Sequence, residues 1–265
     1  MGSVSGLVFF IFCVVGLNSI YIVMEEFMPV PMNDLVRLRN EYERRERRLS
    51  DSDTYSYFNP GHLFLVQGRQ RAILKVMKCA GISSLSSKRI LEVGCGAGGV
   101  LLEFLTYGAE STNLYGIDLL RGRLIKAHER LPGLSLVCAD GQNLPYPDNL
   151  FDIVIQFTAL SSVLDDKVKT KIAHEMLRVL KPDGFILWYD FWLNPFNTQT
   201  RGIKRHEVLR LFTDCKCQFW QVTLAPPLAR KLVPISWLMS LLLEKCVLLN
   251  SHYVALIKPD GRFYA

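Results

Sequence analysis

Nothing in the 265 residues has the spacing of a zinc finger, the aromatic motif of an RNA-recognition sheet or a low-complexity basic tail. The common nucleic-acid modules are excluded. The formal charge of +6 is mild for this length, and much of it comes from Arg37, Arg39, Arg44, Arg45, Arg47 and Arg48, interleaved with Asp34, Glu41, Glu43 and Glu46. Mixed signs at helical spacing describe a solvated helix face. The cysteines (13, 79, 95, 138, 215, 217, 246) are odd in number and mostly embedded in apolar runs, which argues for a reducing compartment and against a disulfide framework. Cys215-Lys-Cys217 has neither a second pair nor a nearby histidine cluster, so no metal site is expected.

No Lys or Arg precedes the uncharged stretch Leu7 to Met24, and no small-residue cleavage pattern follows it. Its length suits a marginal membrane span rather than a signal-peptide core. Every basic residue follows it, from Arg37 onward, which would hold the rest of the chain on the cytoplasmic side, anchored to the inner face of the membrane. Alternatively the first thirty-one residues are an upstream extension, and Met32-Asn-Asp-Leu-Val-Arg-Leu opens the protein with an amphipathic helix capped by Asn33. Gly6 stands where a myristoylation signal needs Ser or Thr. With 49% hydrophobic residues, the chain can bury one large core.

The most informative segment is Ile90-Leu-Glu-Val-Gly-Cys-Gly-Ala-Gly-Gly99, an apolar run that ends in a carboxylate and then a glycine-rich turn. Gly94, Gly96 and Gly98 permit positive φ and close backbone approach, and a helix opening near Gly98 would aim free N–H groups over the loop. Gly94, Gly96 and Gly99 also satisfy a dinucleotide pattern, which leaves a nicotinamide or flavin enzyme open at this point. Asp118 ends the next apolar run, Asn113-Leu-Tyr-Gly-Ile, where a carboxylate would hold ribose hydroxyls. Asp140 ends a third run and begins Asp140-Gly-Gln-Asn-Leu-Pro-Tyr-Pro-Asp-Asn-Leu-Phe-Asp152. Leu180-Lys-Pro-Asp-Gly-Phe-Ile-Leu-Trp188 follows.

In this order the motifs resemble a class I S-adenosylmethionine-dependent methyltransferase of the small-molecule type, over about Gly61 to Gly184. The resemblance implies an α/β, Rossmann-like seven-stranded mixed sheet with the last strand antiparallel, helices on both faces and an N-terminal helical cap. It implies three segments: a hydrophobic N-terminal segment at 1–31, the cap at 32–82 and the cofactor-binding domain at 83–265. S-adenosyl-L-methionine is the implied cofactor. Glu92, Gly94, Cys95, Gly96 and Gly98 would surround its methionine and ribose, Glu92 suiting a cationic group where dinucleotide folds place an apolar residue. Asp118 would bind the ribose diol, Leu119 would pack on adenine, and Asp140 with the Gly141 backbone would read the adenine edge. Gln156 would face the methionine and acceptor.

The chain departs from its relatives where many carry His-His after the fourth strand, since Thr158-Ala-Leu-Ser-Ser-Val163 stands there instead. Asp190, in Trp188-Tyr-Asp-Phe-Trp192, is the best-placed catalytic carboxylate, as base or acceptor ligand, or else a cap of the following turn. His206 is a second candidate in what reads as a solvated helix start. His62 reads as a helix-start residue, and Tyr55 and Tyr57 would line a lid or simply pack.

The coarse pattern places helices at 33–49, 61–80, 98–107, 121–131, 165–180 and 204–213. Strands fall near 89–93, 113–117, 134–139, 151–157, 184–190, 216–224 and 252–258. A long apolar helix is expected from about 228 to 248, although Pro234 lies within it. That helix reads as a substrate-side or dimer helix, or as a membrane-facing surface with Arg230 and Lys231 at the headgroups. No N/D-P-P-Y signature follows the fourth strand, which argues against methylation of DNA bases or protein amides. The N-terminal helix and Thr223-Leu-Ala-Pro-Pro-Leu-Ala-Arg230 resemble bacterial enzymes near polysaccharide gene sets. A small-molecule, glycan or lipid hydroxyl is the first acceptor class implied and a quinone or other lipid the second, for O- or C-methylation. A non-catalytic cofactor-binding subunit is the alternative from another class.

Overall fold

The computed structural model describes residues 32–49, 52–193 and 199–260. The hydrophobic stretch Leu7 to Met24 lies outside them. Strands β1 (Ile90–Val93), β2 (Leu114–Asp118), β3 (Ser135–Cys138), β4 (Phe151–Phe157), β5 (Leu180–Phe191), β6 (Cys215–Leu224) and β7 (Asn250–Pro259) form one sheet in the order β3-β2-β1-β4-β5-β7-β6. The first five run parallel, and β7 is antiparallel to both β5 and β6. Buried on both faces, β1 and β4 read as continuous apolar runs rather than alternating ones.

The helices are α1 (Met32–Leu49), α2 (Pro60–Cys79), α3 (Gly99–Thr106), α4 (Arg121–Arg130), α5 (Asp166–Arg178), α6 (Arg205–Leu211), α7 (Pro226–Leu232) and α8 (Trp237–Glu244). Ile73 of α2, Phe104 of α3 and Ala127 of α4 cover one face of the sheet. Met176 of α5 and Val208 of α6 cover the other. Thus α2 is built into the main core, while α1 lies across the cleft, its Tyr42 ring 4.3 Å beneath the guanidinium of Arg123. The start of α2 has a local cause: the Asn59 side chain accepts from the N–H groups of Gly61 and His62, and Pro60 occupies the first helical position.

Two elements differ from the sequence expectation. The helix expected from 228 to 248 is two helices, because Pro234 has no N–H to continue the first and the Ser236 hydroxyl caps the second by accepting from Met239 N at 3.2 Å. β5 begins at Leu180 rather than near 184. Leu180 pairs with Phe151 and Phe185 with Ile153, so Lys181 to Gly184 form a bulge against β4. A Cβ on Gly184 would lie 2.7 Å from the Asp152 carbonyl oxygen, which is why a glycine closes it.

Candidate active site

The strand order reverses between β1 and β4, and in a sheet of this kind the ends of the strands at such a point frame a crevice. A cavity of about 1130 Å³ occupies it, roofed by α1 and α2. Gly94, Gly96 and Gly98 have φ of +79°, +54° and +74°, and Gly98 is the N-cap of α3. The loop is tied to β2 by Gly94 N and Cys95 N, both donating to the Ile117 carbonyl, and by Gly96 N donating to Asp118 Oδ2 at 2.8 Å. Asp118 Oδ1 accepts from Leu120 N, so this carboxylate fixes both the glycine loop and the turn after β2 while lining the cavity. Cys95 is buried, and burial raises its thiol far above the ordinary range, so it stays protonated.

Glu92 is 2% exposed, and its Oε2 has no hydrogen-bond partner. Burial, then the charge of Asp118, push its carboxyl up to about 8, against the opposing pull of Arg69 and Arg123. A buried carboxyl with an orphaned oxygen on a cavity wall has room for a donor or a cation from a ligand. Asp140 accepts from the backbone and side-chain nitrogens of Gln142, each at 2.9 Å. Leu119, Asp140 and Gly141 all reach the cavity. Sequence reading missed what holds that loop: Arg178 of α5 donates to the carbonyls of Leu144 and Tyr146 and pairs with Asp148, while Glu175 accepts from Leu144 N. The only local signal is the Glu175/Arg178 spacing on one helix face.

Gln156 is fully buried yet lines the cavity, with Oε1 unpartnered and Nε2 donating to Asp190 at 3.5 Å. Asp190 itself is fully buried and is not part of the cavity wall. Its carboxylate also accepts from Ser161 N at 3.1 Å and Phe191 N at 2.9 Å, and burial lifts it to about 7. It is therefore brought to the site through Gln156 and the turn after β4, where Thr158 is held at φ +55°. His206 is exposed on the first turn of α6, away from the cavity.

The remaining wall comes from distant elements. Tyr55, Tyr57, His62 and Arg69 approach from the α2 side, Tyr189 from β5, and Thr223, Arg230 and His252 from the C-terminal elements. The Tyr189 hydroxyl meets Thr223 Oγ1 at 3.0 Å, and the His252 ring stacks on Tyr189 with centroids 4.9 Å apart. Burial, then the charge of Arg69, drop the His252 imidazole to about 3, so it is neutral. Arg69 pairs with Glu103, which also accepts from the Tyr107 hydroxyl. Among the described residues no group of three His, Cys, Asp or Glu is placed to hold a metal ion.

Residues 90–184 match the family described as a methyltransferase domain. This segment is a class I S-adenosylmethionine-dependent methyltransferase domain. Over 115 residues the chain is 37% identical to phthiotriol/phenolphthiotriol dimycocerosates methyltransferase 1 of Mycobacterium ulcerans, covering 43% of this chain and 40% of that protein. It is 35% identical over 117 residues to a fatty-acid O-methyltransferase of Mycolicibacterium smegmatis, covering 42% and 40%. The similarity thus spans well under half the length of these curated relatives. Among solved structures, a TehB-like S-adenosylmethionine-dependent methyltransferase from Corynebacterium glutamicum superposes with a TM-score of 0.52 at 14% identity, covering 83% of this chain and 97% of the other. The cyclase SpnF superposes at 0.53 with 19% identity, covering 73% and 82%. These likenesses concern the fold. The methyltransferase cofactor is a sulfonium with an amino group, and the orphaned Glu92 oxygen fits such a cation.

Proposed function

We propose that this protein transfers a methyl group from S-adenosylmethionine to an oxygen of a small, lipid-like or glycan acceptor. The observation that carries the reading is the buried, unpartnered carboxyl of Glu92 beside Asp118 at the switch point of the sheet. The cofactor supplies a methyl group already activated on sulfur, so the chain's own task is to bind, orient and exclude water. Glu92 would take the amino end, Asp118 the ribose hydroxyls, Leu119 the adenine face, and Asp140 with the Gly141 backbone the adenine edge. Gly94, Gly96 and Gly98 let the backbone approach, with Cys95 filling the space beneath them. Gln156, its Oε1 free, would stand between methionine and acceptor, oriented by Asp190. Relatives named for fatty-acid and phthiotriol acceptors favour an apolar partner.

The outer face of α8 supports delivery from a membrane. Leu238, Met239 and Leu242 point to solvent while Trp237 and Leu241 pack inward beside the buried Ser240, so α8 is apolar on both faces. Ile235 at 79% and Leu248 at 84% exposure flank α8 in sequence, and Lys231 and Lys245 are exposed charges on either side. Apolar area with flanking lysines suits an anionic bilayer surface. No helix among the described residues is long and apolar enough to cross a membrane.

The test is radiolabelled methyl transfer from S-adenosylmethionine to fractionated bacterial lipid and glycan extracts, with calorimetric titration of S-adenosylhomocysteine and NAD alongside. Label in a lipid or glycan fraction, and homocysteine-product binding lost in Asp118→Ala, support the reading. NAD binding alone would sink it, and cofactor binding without transfer to any fraction would leave a non-catalytic subunit instead.

A further inference from the structure

The acceptor wall holds a cation that the fold leaves unbalanced. Of the two guanidinium groups there, Arg69 is paired with Glu103. Arg230 is not: no carboxylate pairs with it among the described residues, and its Nε, like that of Arg69, is buried without a hydrogen bond. Its position is fixed by packing, because α7 crosses the first turn of α2 so closely that a Cβ on Gly61 would lie 2.9 Å from Arg230 Cα. The Tyr55 ring lies 6.0 Å from the guanidinium, and the rings of Tyr55 and Tyr57 each meet His62 edge-on at 5.6 Å. Burial, then the charges of Arg69 and Arg230, hold the His62 imidazole below its ordinary value, which leaves it neutral and available to donate. The recess therefore has aromatic walls, apolar neighbours in Leu65 and Pro226, and one uncompensated positive charge.

Resting on the methyltransferase reading of this cavity, we propose that Arg230 receives a carboxylate of the acceptor, so that the acceptor is an apolar acid. A partly buried guanidinium without a partner is costly, and a flat, singly charged carboxylate matches its fork with two parallel hydrogen bonds. A phosphate monoester brings a second negative charge, and the neighbouring guanidinium on this wall, Arg69, is already paired with Glu103. A quaternary ammonium, which Tyr55 and Tyr57 would otherwise suit, is repelled by Arg230.

The test compares dodecanoate, dodecanol and dodecyl phosphate by calorimetry on the full chain, in wild type, Arg230→Gln and Arg230→Lys, with S-adenosylhomocysteine titrated separately. Wild type should prefer dodecanoate to dodecanol by about ten- to a hundredfold, the range of a charge-assisted hydrogen bond. Arg230→Gln should bring the ratio close to one while S-adenosylhomocysteine affinity stays unchanged, and Arg230→Lys should restore part of the preference. Equal affinities, absence of dodecanoate binding, or a preference surviving in Arg230→Gln overturns the proposal, and tighter binding of dodecyl phosphate reassigns the site. Loss of S-adenosylhomocysteine binding with the dodecanoate preference intact would refute the methyltransferase reading alone.

Discussion

Glu92 stands in register with Gly116, two residues before Asp118, so two neighbouring parallel strands deliver two carboxyl groups to one corner of the cleft. Burial and the Asp118 charge together keep Glu92 largely protonated at pH 7. A cationic ligand favours the ionised form, so binding at pH 7 should release more protons from wild type than from Glu92→Gln, by close to one, and this difference should vanish at pH 9 or above, where Glu92 is already ionised. Calorimetry with S-adenosylmethionine in buffers of different ionisation enthalpy counts that proton, and a count that does not depend on Glu92 refutes the assignment.

The same group sets a pH dependence of stability. Its folded value lies above the unfolded one, so between about pH 4.5 and 8 the native state holds a proton that the unfolded chain has lost. Stability of the ligand-free protein should therefore fall as pH rises through that window. Glu92→Gln should flatten the fall, as read by denaturant midpoints across the range.

The glycine loop should tolerate a methyl group unequally. A Cβ at Gly94 would lie 2.5 Å from Ala159 Cβ, whereas one at Gly96 meets the guanidinium tip of Arg123, which can swing away. Both positions have positive φ, which costs an L-residue about 1–2 kcal/mol. Gly94→Ala should lower the melting temperature more than Gly96→Ala, and both should weaken S-adenosylhomocysteine binding.

Asp190 and Gln156 should behave as one unit. If Asp190 acts by orienting Gln156, Asp190→Asn and Gln156→Ala lower kcat to a similar extent and are far from additive in the double variant. Loss of turnover in Asp190→Asn alone, with the acidic limb of the pH profile gone, would restore the role of base that its place in the sequence suggests.

On the α8 face, Leu238→Glu with Leu242→Glu should abolish co-sedimentation with anionic vesicles. Because both side chains are largely exposed, unfolding free energy should change by no more than about 0.5 kcal/mol per site. Retained vesicle binding, or a monomer–dimer shift in sedimentation, would point to a second copy as the occupant of this face.

Much of the crevice formed by β1 to β3 was legible because it is local. Parallel strands are unbroken apolar runs, and Glu92, Asp118 and Asp140 each follow one, at or just before a turn whose glycine or Asx geometry is written beside it. Asp190 carries the same signal, yet the turn after β4 folds over it and no periodicity records that. The acceptor wall was opaque for a related reason. Tyr189, Thr223 and His252 come from β5, β6 and β7 and meet only because the last strand inserts between the other two. Apolar composition overstated the helix after residue 226, where a missing amide at Pro234 and a serine cap outweighed it.

The insertion of β7 also sets an order of assembly during synthesis. Among the described residues β6 pairs with no strand but β7, so every earlier strand can be laid down while β6 still awaits a partner that leaves the ribosome after it. The crevice for the methyl donor can close first, and the wall facing the acceptor is finished last. Substitutions in that late-added portion can reshape the wall without touching the corner between β1 and β2.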